Sequence, residues 1–317
     1  MTATSTEYTF GPVPSRRLGK SLGINNIPAK VCSYSCVYCQ IGRTTELQMD
    51  RNSFYAPSDI VDAVKSKVSE TLEAGEVIDY LTFVADGEPT LDENIGREIQ
   101  DLKPLGIPIG VITNSSLIWR DDVRKDLAHA DWVSLKIDAL WKALWRKIDR
   151  PNTKLVLEAI HHGILDFAAS FKGKLVTETM LVAGLNDGED HLIKLSDFIE
   201  KLQPDTAYLS IPTRPPAVQW VHAPSEARLN RAFQLLSASI DNVEYLIGYE
   251  GDAFAYSGDV EKDILSITAV HPMRMEAVDA LLTRAGASWE TIDHLVAQGD
   301  LTVSEYGGHR FYLRKLK

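Results

Sequence analysis

From residue 57 onward, apolar and polar positions alternate between two periods. Apolar residues recur at helical spacing over 58–70, 92–104, 120–128, 188–202 and 225–238, and helices also fill much of 140–168. Ser58 stands where it can cap the first of these. Between them lie short runs rich in β-branched and aromatic residues, at 80–85, 108–113, 132–138, 174–182, 207–211 and 243–247, which predict strands. Another strand, at 22–27, precedes three closely spaced cysteines. Strands alternating with helices imply right-handed βαβ units and a parallel sheet. The six strands up to residue 211 suit an α/β fold of the open, partial (β/α)6 barrel type better than a closed eight-fold barrel. Functional groups in such a sheet belong in the loops after the carboxyl ends of the strands.

The pattern changes near residue 262, after a glycine-rich stretch around 248–258. His271-Pro-Met begins one helix, Ser288 caps a second, and strand-like runs at 301–306 and 311–314 flank Gly307-Gly308. Two helices followed by a Gly-Gly hairpin outline a winged helix. The expected organisation is a barrel with an N-terminal extension over 1–262 and a winged-helix-like domain over 263–317.

Composition narrows the chemistry. With 317 residues, 44% hydrophobic and 24% charged, the chain reads as an ordinary globular protein. No run approaches the roughly 20 apolar residues of a membrane helix, and the N-terminus lacks the basic start and apolar core of a secretory signal. A cytoplasmic, membrane-free protein is expected. Three clustered cysteines are too few for a disulfide framework and point to metal or redox chemistry. The net charge of −11 argues against a general polyanion binder. Yet Arg16, Arg17, Lys20, Lys30 and Arg43 flank the cysteines, a local basic excess.

Cys32, Cys36 and Cys39 place three soft sulfur ligands in one loop, which suits zinc or an iron–sulfur cluster. Structural zinc wants a fourth Cys or His, and the first histidine is His129. Three ligands on a four-iron cluster leave one iron open for chemistry. This CxxxCxxC spacing, with Tyr38 before the last cysteine, resembles the signature of the radical S-adenosylmethionine (SAM) superfamily. The resemblance implies a [4Fe–4S] cluster whose open iron chelates SAM. Electrons from a donor such as flavodoxin or ferredoxin would cleave SAM to a 5′-deoxyadenosyl radical, which abstracts hydrogen from substrate.

The resemblance also assigns cofactor contacts. Asp86-Gly87-Glu88-Pro89 resembles the Gly-Gly-Glu motif that holds the SAM ammonium, with Asp86 in place of the first glycine. Taken alone, the same residues read as a turn. Asn114, after the next strand, could hydrogen-bond SAM. In 132–138 the period of two puts Ser134, Lys136 and Asp138 on one face, where the superfamily's ribose contacts arise; a solvated strand end is the plainer alternative. Glu178 and Met180 share a face that could meet SAM or substrate. Asn186 and Asp187, in a turn of the superfamily's fifth-strand type, also serve as ordinary helix caps. Arg214, in a proline-stiffened loop, could clamp an anionic substrate group, as could Arg16, Arg17 and Lys20.

The stretch from Phe10 to Ile24, the IGYEG segment at 247–251 and the C-terminal outline resemble a subgroup placed with the wyosine-type tRNA-modifying synthases. The archaeal members carry extra cysteines for a second cluster, and this chain has none. Three function classes follow: a radical enzyme acting on tRNA or a peptide, one acting on a small anionic metabolite, and an iron–sulfur regulator binding DNA. Residues 263–317 hold six Lys/Arg against seven Asp/Glu. That balance disfavours DNA binding and leaves RNA docking without a charge basis.

Overall fold

The computed structural model describes residues 8–247, 254, 256, 258–270 and 272–315. Apart from Ile247, the IGYEG segment lies outside the described residues. One eight-stranded sheet dominates, in the order β1 (Thr9–Ser15), β2 (Gly19–Ile24), β5 (Tyr80–Phe83), β6 (Ile109–Thr113), β7 (Trp132–Lys136), β8 (Lys174–Met180), β9 (Thr206–Ser210) and β10 (Val243–Leu246). Every neighbouring pair from β2 to β10 is parallel. Two-residue strands β3 (Val31–Cys32) and β4 (Glu46–Leu47) pair separately and frame the cysteine loop. The main sheet curls into the open half-barrel that the alternation of periods predicted.

Its crossover helices are α1 (Pro57–Glu73), α2 (Ile95–Leu102), α3 (Asp121–Leu127), α4 (Lys142–Ile148), α5 (Leu157–Ser170), α6 (Glu189–Leu202) and α7 (Glu226–Ser237). Ser58 does not cap α1: Ala56 is the N-cap and Pro57 opens the helix, its fixed φ and missing N–H both suiting that position. Gly188 caps α6 in place of Asn186 or Asp187. The Asn186 amide instead donates to the carbonyls of Asp138 and Met180 and binds two strand ends together.

The period of two divides each central strand. On β7, Val133 and Leu135 are fully buried in the main core. Trp132 lies on the opposite face, in a smaller cluster with Leu18, Val176, Tyr208 and Leu246. That apolar plug fills the bottom of the half-barrel. One step further along the same face come Ser134, Lys136, Glu178 and Ser210, so the lumen turns polar toward the strand ends.

Sequence periodicity missed β1, which runs antiparallel to β2 and forms the sheet edge. Two prolines and a glycine break its alternation. It also missed α8 (Val260–Val270), a helix that packs on β1. Phe10 and Val13 of β1 share a core with Ile264, Ile267, Val278 and Leu281, so the edge strand is covered. After α8 come β11 (Met273–Arg274), α9 (Met275–Ala285), α10 (Glu290–Ala297) and the hairpin β12 (Leu301–Tyr306)–β13 (His309–Arg314). The three strands order as β11–β13–β12. The first of these helices starts at Met275, because Met273 and Arg274 pair with β13. Trp289, not the Ser288 side chain, occupies the N-cap of α10.

Candidate active site

The cysteine loop begins at β3 and is held by backbone bonds from the end of α4. Ser35 N–H donates to the Asp149 carbonyl (3.0 Å) and Val37 N–H to that of Ile148 (2.9 Å). Two donors already face the Cys32 sulfur, Tyr34 N–H and the Asn114 amide, each at 3.5 Å. The Cys36 thiol donates to Asp149 at 3.6 Å. All three cysteines are half-buried. Burial, then Glu88, pushes the Cys32 thiol up to about 12. Burial and Asp149 hold Cys36 well above the usual range, and burial raises Cys39. Only a strongly cationic partner keeps such sulfurs as thiolates. Among the described residues, no three His, Cys, Asp or Glu side chains close on a single ion. Three thiolates in one clamped loop fit a multi-iron cluster, in which each sulfur caps a different iron.

Beside the loop, the turn after β5 is locked to it. Lys30 N–H donates to the Asp86 carbonyl (2.7 Å) and Glu88 N–H to that of Val31 (3.2 Å). A Cβ on Gly87 would stand 1.8 Å from the Val31 carbonyl oxygen, so no other residue fits there. Glu88 is fully buried. Its Oε1 accepts from Thr90 N–H, the Thr90 hydroxyl and the Thr113 hydroxyl, while Oε2 accepts from Asn114 N–H at 2.7 Å. One acceptor position on Oε2 is left for a further donor. Asp86 is buried with Oδ1 unbonded, and burial pushes its carboxyl up to about 7 despite Arg314 and Lys30.

Asp138, after β7, accepts from the Tyr38 hydroxyl and from Met180 N–H (2.7 Å). Tyr38 also reaches Asp149 at 3.4 Å. Asp149 was not legible in the sequence; its one signal is its place at the end of α4, two residues before Pro151. Burial and the nearby Asp138 hold it well above the usual carboxylate range. Asn114, Asp138 and Asp149 line a narrow cleft of about 20 Å³ with Tyr34 and Trp145. Ser134 is buried in β7.

A larger cavity, about 260 Å³, opens beside the cysteine loop. Of the residues singled out from sequence, it brings together Arg16, Arg17, Tyr38, Cys39, Lys136, Glu178, Met180 and Arg214. Glu178 is its hub, accepting from Lys136 Nζ (2.9 Å), the Ser210 hydroxyl (3.0 Å) and Arg17. Burial alone would raise the Glu178 carboxyl, but Lys136 and Arg17 hold it well below its usual range. Burial would lower Lys136, and Glu178 and Asp138 outweigh it, so its ammonium is held charged. Lys136 also lies 5.1 Å from the Tyr38 ring centroid. Lys20 does not line the cavity; its ammonium turns to Glu76 at 2.7 Å. Glu76 takes Arg284 of α9 as well.

Residues 26–196 match the Radical SAM superfamily. UPF0026 protein MJ1312 of Methanocaldococcus jannaschii is 45% identical over 310 residues, spanning 97% of this chain and 96% of that protein. A UPF0026 protein of Helicobacter pylori is 26% identical over 96% of both chains. Among solved structures, TYW1 with a lysine-pyruvate adduct bound aligns with TM-score 0.55 at 14% identity, covering 76% of this chain and 78% of that one. A radical SAM methyltransferase from Sphaerobacter thermophilus aligns at 0.51 and 16% identity, covering 72% and 66%. At those identities the likeness is one of fold. No helix among the described residues is long and apolar enough to cross a membrane. The chain belongs to the radical SAM superfamily, whose enzymes use a [4Fe–4S] cluster and SAM, and within it to the UPF0026 group.

Proposed function

We propose that this chain is a radical SAM enzyme in which Cys32, Cys36 and Cys39 hold one [4Fe–4S] cluster beside the 260 Å³ cavity. The observation that carries the reading is the clamped three-cysteine loop with Cys39 opening onto that cavity. When bound and reduced, the cluster and SAM supply one-electron cleavage of the sulfonium and a 5′-deoxyadenosyl radical that takes hydrogen from substrate.

The chain's own residues position these groups. Asn114 and the Tyr34 N–H stabilise charge on the Cys32 sulfur. The remaining acceptor position on Glu88 takes one proton of the SAM ammonium, and the missing Cβ of Gly87 lets that turn press against the Val31 carbonyl beside the cysteine loop. Tyr38, within the cysteine loop itself, is fixed by Asp138. Asp138, Lys136 and Ser134 approach the ribose side from β7, and Glu178 and Met180 face the reacting centre from β8.

TYW1 binds a lysine–pyruvate adduct. Lys136, the lysine among the described residues lining this cavity, is held as an ammonium by Glu178 and is not poised as an amine nucleophile. The reading therefore rests on hydrogen abstraction without a lysine adduct.

Anaerobic reconstitution tests the proposal. The protein should retain about four irons per chain, and reduction with dithionite in the presence of SAM should release 5′-deoxyadenosine. Cys36→Ser should lose both properties. Firm zinc in place of iron, a second cluster, or no 5′-deoxyadenosine would sink the reading.

A further inference from the structure

The side chain of Asn114 is held at both ends. Its carbonyl oxygen accepts from Ser116 N–H at 2.9 Å, closing a tight turn after β6. Between them Ser115 takes a left-handed backbone, φ 66°, which residues other than glycine adopt rarely. Only an acceptor can face a backbone N–H, so the amide nitrogen points the other way. There its two hydrogens meet two acceptors, the Ser33 hydroxyl at 3.0 Å and the Cys32 sulfur at 3.5 Å. Ser33 is itself fixed. Its hydroxyl pairs with that of Ser116, both residues being fully buried, and its carbonyl accepts from Asn152 N–H at 2.9 Å.

The main chain of the same residue serves a different group, because Asn114 N–H donates to Glu88 Oε2 at 2.7 Å. One residue thus reaches the Glu88 turn by its backbone and the cysteine loop by its side chain. With both amide hydrogens engaged, the side chain has no donor to spare for SAM. An N–H aimed at a cluster sulfur favours the more electron-rich state, and such bonds are among the levers that set cluster potentials.

Resting on the function proposed above, we propose that Asn114 is a positioning residue that acts through Cys32: its amide, locked by Ser33 and Ser116, raises the reduction potential of the [4Fe–4S] cluster. Reduction adds one negative charge, part of which falls on the sulfurs. The amide dipole already faces Cys32, so it stabilises that charge without having to reorient. Removing this donor makes reduction harder while the backbone bond to Glu88 remains. The Tyr34 N–H, at 3.5 Å from the same sulfur, is a backbone group and survives every side-chain change. Ser33 has the lesser part: without its hydroxyl the amide keeps its carbonyl anchor and its sulfur contact.

The test is a spectroelectrochemical titration of the anaerobically reconstituted protein, with SAM affinity measured calorimetrically on the same samples. Asn114→Leu keeps a similar volume and removes the donor. Its one-electron reduction should be about tenfold less favourable, a fall of about 59 mV. Asn114→Asp retains the acceptor for Ser116 N–H and should fall at least as far, so it decides the matter should the first variant not fold. Ser33→Ala should fall by less than either. SAM affinity should stay within twofold in Asn114→Leu and Ser33→Ala. An unchanged potential in the Asn114 variants overturns the proposal. A shift in Ser33→Ala as large as in Asn114→Leu also overturns it, since any disturbance of the loop would then suffice. A tenfold loss of SAM affinity at an unchanged potential overturns it too and assigns Asn114 to the cofactor. Iron content and 5′-deoxyadenosine release, measured on the wild-type sample, report separately on the function itself.

Discussion

At the mouth of the half-barrel, the ends of β5 and β6 bind their polar groups to the chain itself, whereas the ends of β7, β8 and β9 turn theirs toward a cavity. Glu88 sits among four donors from its own turn and from the end of β6. Gly87 is pressed against the Val31 carbonyl. Glu178, on the other side, gathers a lysine, an arginine and a serine from three further elements, with Arg16 and Arg214 across the same cavity. On the function proposed above, the first region would cradle the cofactor, and its buried carboxylate, bonded through both oxygens, makes it rigid. On the same proposal, the second region would face the substrate. The first region is therefore stabilised by short-range hydrogen bonds, and the second by one carboxylate that keeps two cations in place.

The largest effect should come from removing that carboxylate. Glu178→Gln keeps the shape but leaves Lys136 and Arg17 facing each other in a mostly buried site. Breaking one side of such a pair costs about 3–5 kcal/mol, which denaturant unfolding of the apo-protein would read. The pH dependence has a defined sign. The Glu178 carboxyl is depressed from 4.5 in the folded chain, so its stabilisation is present above that value and is lost as pH falls through the folded value. The wild type should lose this contribution below about pH 4, and the variant should have none to lose. Equal stability of the two proteins at pH 7 would mean that Glu178 organises nothing.

At the turn after β5, Gly87→Ala sharpens the contrast. The added methyl meets a backbone carbonyl at 1.8 Å, and backbone does not swing aside as a side-chain tip does. Overpacking of this kind costs about 1–3 kcal/mol. Because the same contact joins the β5 turn to the start of the cysteine loop, cluster retention should fall with stability. A variant that melts like wild type and holds full iron would show that the turn and the loop are independent.

The sequence exposed these two regions unequally. Cys32, Cys36, Cys39 and the Gly87-Glu88 turn are close together within short runs, and local spacing carries their meaning. The period of two along 132–138 and 174–182 placed Lys136 and Glu178 on the lumen faces of their strands, but their mutual contact depends on strand register, which one chain alone does not reveal. Asp149 stayed hidden because it reaches Cys36 and Tyr38 from the end of α4, across more than a hundred residues. Strand β1 was obscured by Gly11, Pro12 and Pro14, which a covered edge strand tolerates and an interior strand does not. Lys20 has the composition of a mouth residue. Its strand position directs it to Glu76 instead, in a cluster shared with Arg284 of the C-terminal lobe.

The smallest predicted effect concerns how that lobe borders the cavity. The tyrosine that ends β12, Tyr306, donates its hydroxyl to the Pro212 carbonyl at 3.2 Å, and Pro212 lines the cavity. The β12–β13 hairpin thus reaches from the lobe docked on β1 to the loop after β9. Deleting residues 263–317 would strip Phe10 and Val13 of their partners, so a single side chain gives the cleaner cut. Tyr306→Phe keeps the ring and removes one hydrogen bond, a net loss of about 1 kcal/mol, worth only a few degrees in melting temperature, about 2–4 °C. If the hairpin closes the cavity, the reconstituted cluster should bleach severalfold faster in air in this variant, with iron content unchanged before exposure. Tyr245→Phe serves as the control, since among the described residues its hydroxyl bonds only to α7, at Leu229 and Asn230. Bleaching at the same rate in wild type and both variants would reduce the hairpin to packing.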